Sequence, residues 1–138
     1  MGKKLFIETN IINEDNFQEA TEYVKATKLV QDIPIIEYYK IGQEKMPLLI
    51  LSHGFSGSKN DFFQNMDFVK NLADKGFYIA AMDNRGHGER KGPTFSSRVI
   101  KNSKINTLEI RKLIKESADD VRTLIDYYET NPLIDNDW

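Results

Sequence analysis

Two short stretches carry residues spaced for chemistry: His53-Gly54-Phe55-Ser56-Gly57-Ser58 and Asp83-Asn84-Arg85-Gly86-His87-Gly88. In the first, glycine lets the main chain approach a substrate closely and turn its N–H groups toward it. Amides placed in this way hold the oxyanion of a tetrahedral intermediate, a contribution of roughly 3–4 kcal/mol per donor. The second stretch offers Arg85 and His87, both able to reach an acidic or polar group. Each stretch also has a structural reading. His53 reads as a buried, hydrogen-bonded histidine, and Asp83 to Gly88 as a strand-end turn held by glycines and Asp–Arg pairing. The structural reading is favoured for both. With only two histidines, no cysteine and no H-E-x-x-H, a zinc enzyme is not expected, and thiol catalysis and disulfides are excluded.

The elements that position these stretches follow from the apolar pattern. Pro47 introduces Leu48-Leu49-Ile50-Leu51, an unbroken apolar run of the kind a strand needs when helices cover both its faces. Phe62, Phe63, Met66, Val69, Leu72 and Ala73 then share one helical face, and Gly76 supplies the stop. Phe77 to Met82 reads as a second buried strand. Strand, loop, helix and strand make a βαβ unit with parallel strands and a right-handed crossover. Ligands of such sheets bind beyond the carboxyl ends of the strands, where both glycine-containing stretches fall.

Downstream, a polar stretch runs to about Asn106. Thr107 is expected to cap a long helix whose buried stripe is Ile110, Ile114, Ala118, Val121, Leu124, Ile125 and Tyr128. Asn131-Pro132 stops it. Upstream, residues 4–12 alternate weakly as a short strand. Phe17, Ala20, Val24 and Thr27 predict a helix from about 14 to 29, and Ile35 to Tyr39 a strand ending near Gly42. The expected class is α/β: a mostly parallel sheet with flanking helices.

In this order, the Leu48 to Phe55 strand and turn, the helix ending at Gly76, and the strand leading into Asp83 to Gly88 resemble the α/β-hydrolase superfamily, particularly bacterial esterases and dienelactone-hydrolase-like enzymes. The resemblance runs from about Ile33 to Trp138. It divides the chain into an N-terminal extension, 1–32, and the N-terminal half of a hydrolase domain, 33–138. It implies that the Phe55 backbone N–H is one oxyanion donor, that Gly54 permits the turn and that His53 buttresses it. Arg85 and His87 keep their alternative as substrate contacts.

The family also needs a G-x-S-x-G nucleophile elbow, followed by an acid and a histidine. The nearest match, Gly54-Phe55-Ser56-Gly57-Ser58, lacks the last glycine and sits at the oxyanion turn, so Ser56 is not expected to be the nucleophile. The ending Asn131 to Trp138 resembles the link before the elbow strand. The chain thus reads as a truncated fragment, catalytically silent alone, of an enzyme that hydrolyses carboxylic esters or related acyl bonds of a small-molecule substrate through a serine acyl-enzyme. No metal or organic cofactor is implied.

A formal net charge of −2 gives no reason to expect nucleic acid or an anionic membrane as partner. Leu5-Phe6-Ile7 is too short for a signal sequence, Phe6 stands where myristoylation wants Ser or Thr, and no apolar run approaches spanning length. A cytoplasmic protein is expected. A nucleotide-binding reading of Gly54 to Lys59 is disfavoured because Ser58 separates Gly57 from Lys59, where a phosphate loop has Gly-Lys. The resemblance also implies that the elbow strand would pair beside Leu48 to Leu51, which without it is an unprotected sheet edge. Self-association, segment swapping or complementation by a C-terminal half is therefore expected.

Overall fold

Tyr23, Val24, Ala26, Val30, Ile33, Ile35, Ile36 and Tyr38 are all buried, and this density of β-branched and aromatic residues builds the first strands. The computed structural model describes residues 4–10 and 21–137, with side chains from Tyr23 onward. Strand β1 is Lys4–Asn10, β2 is Thr21–Val30 and β3 is Ile33–Lys40. β2 pairs antiparallel with β1 on one side and with β3 on the other. Gln31 and Asp32, at φ 45° and 68°, make the two-residue turn of the β2–β3 hairpin.

The helix expected over 14–29 is therefore corrected. Residues 14–20 lie outside the described residues, and Thr21 onward is strand. Helical spacing of Val24 and Thr27 is a local signal. It loses to the ladders flanking β2, Thr21–Thr27 with β1 and Tyr23–Val30 with β3. The strand expected over 4–12 is observed as β1 to Asn10, with residues 11 and 12 outside the described residues.

The βαβ unit follows. β4, Leu48–Ser52, leads through a 3-10 helix, Lys59–Phe63, into α1, Met66–Asp74, and on to β5, Tyr78–Met82. The single expected helix is broken at Gln64-Asn65, because Asn65 caps α1 by accepting from the Asp67 N–H. Gly76, at φ 98°, makes the stop. β5 inserts between β3 and β4, so the sheet order is β1-β2-β3-β5-β4. Among the described strand pairs of this sheet, only β4–β5 is parallel. The sheet is mixed and mostly antiparallel, where a mostly parallel one was expected. A parallel pair needs a crossover, and among the described strands only β4 and β5 are joined by one.

Both faces are covered. On one, Ile35, Tyr78, Ala80 and Met82 pack against Leu124 and Tyr128 of α3, Thr107–Tyr128. On the other, Ile36, Tyr38, Ile79 and Ala81 meet Phe63, Val69 and Ala73. All five residues of β5 are buried, each large one contributing about 1.5–3 kcal/mol. A buried polar contact ties α3 to β3: Tyr128 donates to Glu37 at 2.6 Å, and Lys28 pairs with the same carboxylate oxygen at 2.7 Å.

The polar stretch before α3 holds a short helix, α2, Phe95–Val99, and a hairpin of β6, Ile100–Lys101, and β7, Lys104–Ile105. Asn106, not Thr107, caps α3 by accepting from the Glu109 N–H. The expected stripe on α3 is only partly covered: Leu124 and Tyr128 are buried, whereas Ile114 is 57% exposed and Ala118 is exposed.

β4 is the last strand in the order, and its four apolar residues are only half-buried. Near its start, Met46 forms a parallel bridge with Ile134, through Met46 N–H to Leu133 O (2.7 Å) and Asp135 N–H to Met46 O (2.8 Å). Pro47 O accepts from Tyr78 of β5, so by alternation Met46 faces the side away from β5. Beyond that bridge, no strand among the described residues pairs with the outer edge of β4. No helix among them is long and apolar enough to cross a membrane.

Candidate active site

Because β4 and β5 are parallel neighbours, the loops leaving their carboxyl ends run side by side. The first makes a tight turn closed by Gly57 N–H to Gly54 O at 3.1 Å, with Ser56 at φ 66°. Gly54, Phe55 and Ser56 are exposed, Phe55 at 59%. The Phe55 ring stacks on Phe95, centroids 4.9 Å apart. Among the described residues, no hydrogen bond takes up the Phe55 N–H. A Cβ placed on Gly54 would meet nothing within 4 Å, and its φ is ordinary. Glycine is thus not demanded by the fold there; it leaves space open in front of the turn. A cleft of about 380 Å3 lies alongside, bordered by Gly54, Phe55, Arg85, Leu113, Ile114 and Val121.

Two histidines hold the loops together. His53 Nδ1 lies 2.7 Å from Gly54 O, and its Nε2 accepts from the Asn84 N–H at 3.0 Å. A carbonyl only accepts and an amide N–H only donates, so the His53 ring is neutral with its proton on Nδ1. His87 repeats the arrangement, with Nδ1 donating to Arg85 O at 2.9 Å and Nε2 accepting from the Ser56 N–H at 3.1 Å. Both rings are 8% exposed. Asn84 adds a link from its Nδ2 to His53 O at 2.8 Å and accepts from the Ser52 hydroxyl at 2.8 Å. The four ring nitrogens are thereby occupied, and neither histidine offers a free base to Ser56.

The second loop is organised by Asp83, which is wholly buried. Its carboxylate accepts from the Lys59 N–H (2.8 Å), the Lys59 ammonium (2.8 Å) and the Glu89 N–H (2.9 Å). Lys59 also reaches Glu89 at 2.8 Å. A Cβ on Gly88, at φ 54°, would overlap the Asp83 carboxylate, so this position is restricted to glycine. The Asp–Arg pairing expected inside the loop does not form. Arg85 instead grips Asp120 of α3 with two bonds, 2.8 and 2.9 Å, while Arg90 reaches the same carboxylate at 3.1 Å. The bond to Asp120 raises the Arg85 pKa further above its ordinary value; burial lowers that of Arg90.

Of the residues singled out from sequence, the structure gathers His53, Gly54, Phe55, Arg85 and His87 around one cleft. Arg85 is part-exposed but committed to Asp120, and His87 is enclosed. Sequence reasoning missed the bonds made by Lys59, Asn84 and Asp120, whose partners lie 24 to 35 residues away with no local spacing to reveal them. Lys59, weighed as a phosphate ligand, is 1% exposed and committed to two carboxylates.

The chain belongs to the alpha/beta hydrolase fold family, whose profile matches residues 47–129, more than half of the chain. No curated protein matches it. Among solved structures it is similar to acetyl xylan esterase 1 from Thermoanaerobacterium sp., with a TM-score of 0.54 and 19% identity over 98% of this chain and 43% of that one. It is also similar to a cold-adapted esterase from an Arctic intertidal metagenomic library, at TM-score 0.53 and 18% identity, covering 81% of this chain and 46% of that one. At these identities the likeness establishes the fold alone. The chain spans less than half the length of either structure.

Proposed function

We propose that these residues form the oxyanion side of a serine hydrolase acting on carboxylic esters or related acyl bonds. The carrying observation is the exposed turn at the end of β4, where the Phe55 N–H is unclaimed and faces no crowding from Gly54. The esterase names of two structural neighbours support the substrate class. We assign no nucleophile within these 138 residues, since Ser56 has no base to activate it. The location we assign is cytoplasmic. Alone, the chain is expected to give no turnover of short-chain nitrophenyl esters.

The decisive variant is Phe55→Pro, tested in the gene read on past codon 138. Proline suits the second position of this turn yet removes the N–H. An intact fold with kcat lowered about 10²–10³-fold supports the donor role. Unchanged kcat overturns it.

A second reading, association through the sheet edge, is favoured by the outer side of β4. A cleft of about 440 Å3 there is bordered by Leu48, Ile50, Val121 and Ile125. The parallel bridge at Met46 already starts a ladder along that side. An extended segment from a second copy or from a C-terminal half would continue it.

A further inference from the structure

We infer that His87 is a positioning residue for the oxyanion turn: it fixes the peptide on one side of Phe55 while His53 fixes the peptide on the other. The inference rests on reading the Phe55 N–H as an oxyanion donor. In a trans peptide, C=O and N–H point in opposite directions, so holding one aims the other. The Gly54–Phe55 peptide is held at Gly54 O by His53 Nδ1 (2.7 Å) and the Gly57 N–H (3.1 Å). The Phe55–Ser56 peptide is held at its N–H by His87 Nε2 (3.1 Å). With both flanking planes anchored, the two dihedrals of Phe55 have no freedom left to redirect its amide.

The arrangement is reciprocal. His53 sits on the first loop and takes an amide of the second; His87 sits on the second and takes an amide of the first. Each anchors its own Nδ1 proton on a carbonyl of its own loop, and the ring centroids are 5.0 Å apart. The turn needs such a tether because Ser56, at φ 66°, occupies a left-handed conformation that a serine side chain disfavours. Among the described residues, His87 Nε2 is the one acceptor for the Ser56 N–H. His87 is therefore required as an acceptor at its ε position, a narrower demand than filling space.

Two substitutions separate these demands in the intact 138-residue chain. His87→Asn keeps a donor for Arg85 O and loses the acceptor for Ser56. His87→Gln places an amide oxygen at the ε position. Amide hydrogen exchange read by NMR is expected to speed up roughly tenfold at Ser56 in H87N, with β5 amides unchanged, and to return toward the parent rate in H87Q. An unchanged Ser56 rate in H87N, or equal acceleration throughout β5 in both variants, overturns the inference. Ring-nitrogen spectra of the unsubstituted protein give an independent reading: a proton on His87 Nδ1 is expected, and one on Nε2 overturns it. None of these measurements uses turnover. Unchanged kcat in the Phe55→Pro test would remove the oxyanion reading and leave the clamp standing.

Discussion

Asp83 accepts three hydrogen bonds in a place closed to solvent, and its charge is balanced there by a lysine that is itself buried. A buried ion pair is weak evidence for stability, but breaking one side strands the other charge. Lys59→Met is expected to destabilise the fold by about 3–5 kcal/mol in urea unfolding, and Lys59→Met with Asp83→Leu to recover part of that loss. A double variant no more stable than the single one would show that the backbone bonds to Asp83, and not its charge, matter. At this scale the sequence was readable where a residue acts on its neighbours. The small residues from Ser52 to Ser58 announced a loop, and the resemblance placed a turn at Gly54 within it. Asp83 with Lys59, and Arg85 with Asp120, were not readable, because nothing local tells a carboxylate which distant cation will be folded onto it.

At the scale of elements, β4, β5 and α3 were legible from unbroken or helically spaced apolar residues, while β2 was read as helix. Tyr23 shows what β2 does: its ring is buried on Tyr38, and its hydroxyl donates to Asp74 at the end of α1 at 2.7 Å. That contact between strand and helix exists only once the sheet has formed, so no periodicity in β2 encodes it. Burial, then the bond to Asp74 and its negative charge, push the Tyr23 pKa up to about 12 from an ordinary 10.0. A raised tyrosine contributes stability that is whole below pH 10 and is lost as pH climbs through 12. Tyr39, Tyr78 and Tyr128 are raised as well, chiefly by burial, and act with the same sign. Stability is expected to fall between pH 10 and 12 alongside phenolate absorbance, and more gently in Tyr23→Phe. Equal slopes for the two proteins would contradict the shift.

At the scale of the whole molecule, the chain forms a mixed sheet whose order ends in β4, with Ile114 and Ala118 of α3 bare beside it. The apolar stripe on α3 was visible in the sequence; which part of it would be covered was not, since cover depends on strand order. An apolar edge of this kind invites pairing. Sedimentation of residues 1–138 is expected to show self-association that a charge at the edge, Ile50→Lys, reduces. A monodisperse parent protein would refute this.

The turn that presents the Phe55 amide hangs from β4, and β4 joins the sheet through β5, with the Met46–Ile134 bridge just before it on the other side. A strand laid along the bare side of Leu48 to Ser52 would therefore stiffen the mouth of the cleft as well as widen the sheet. The shape of the turn and the pairing of the sheet edge are in this way tied to one piece of backbone.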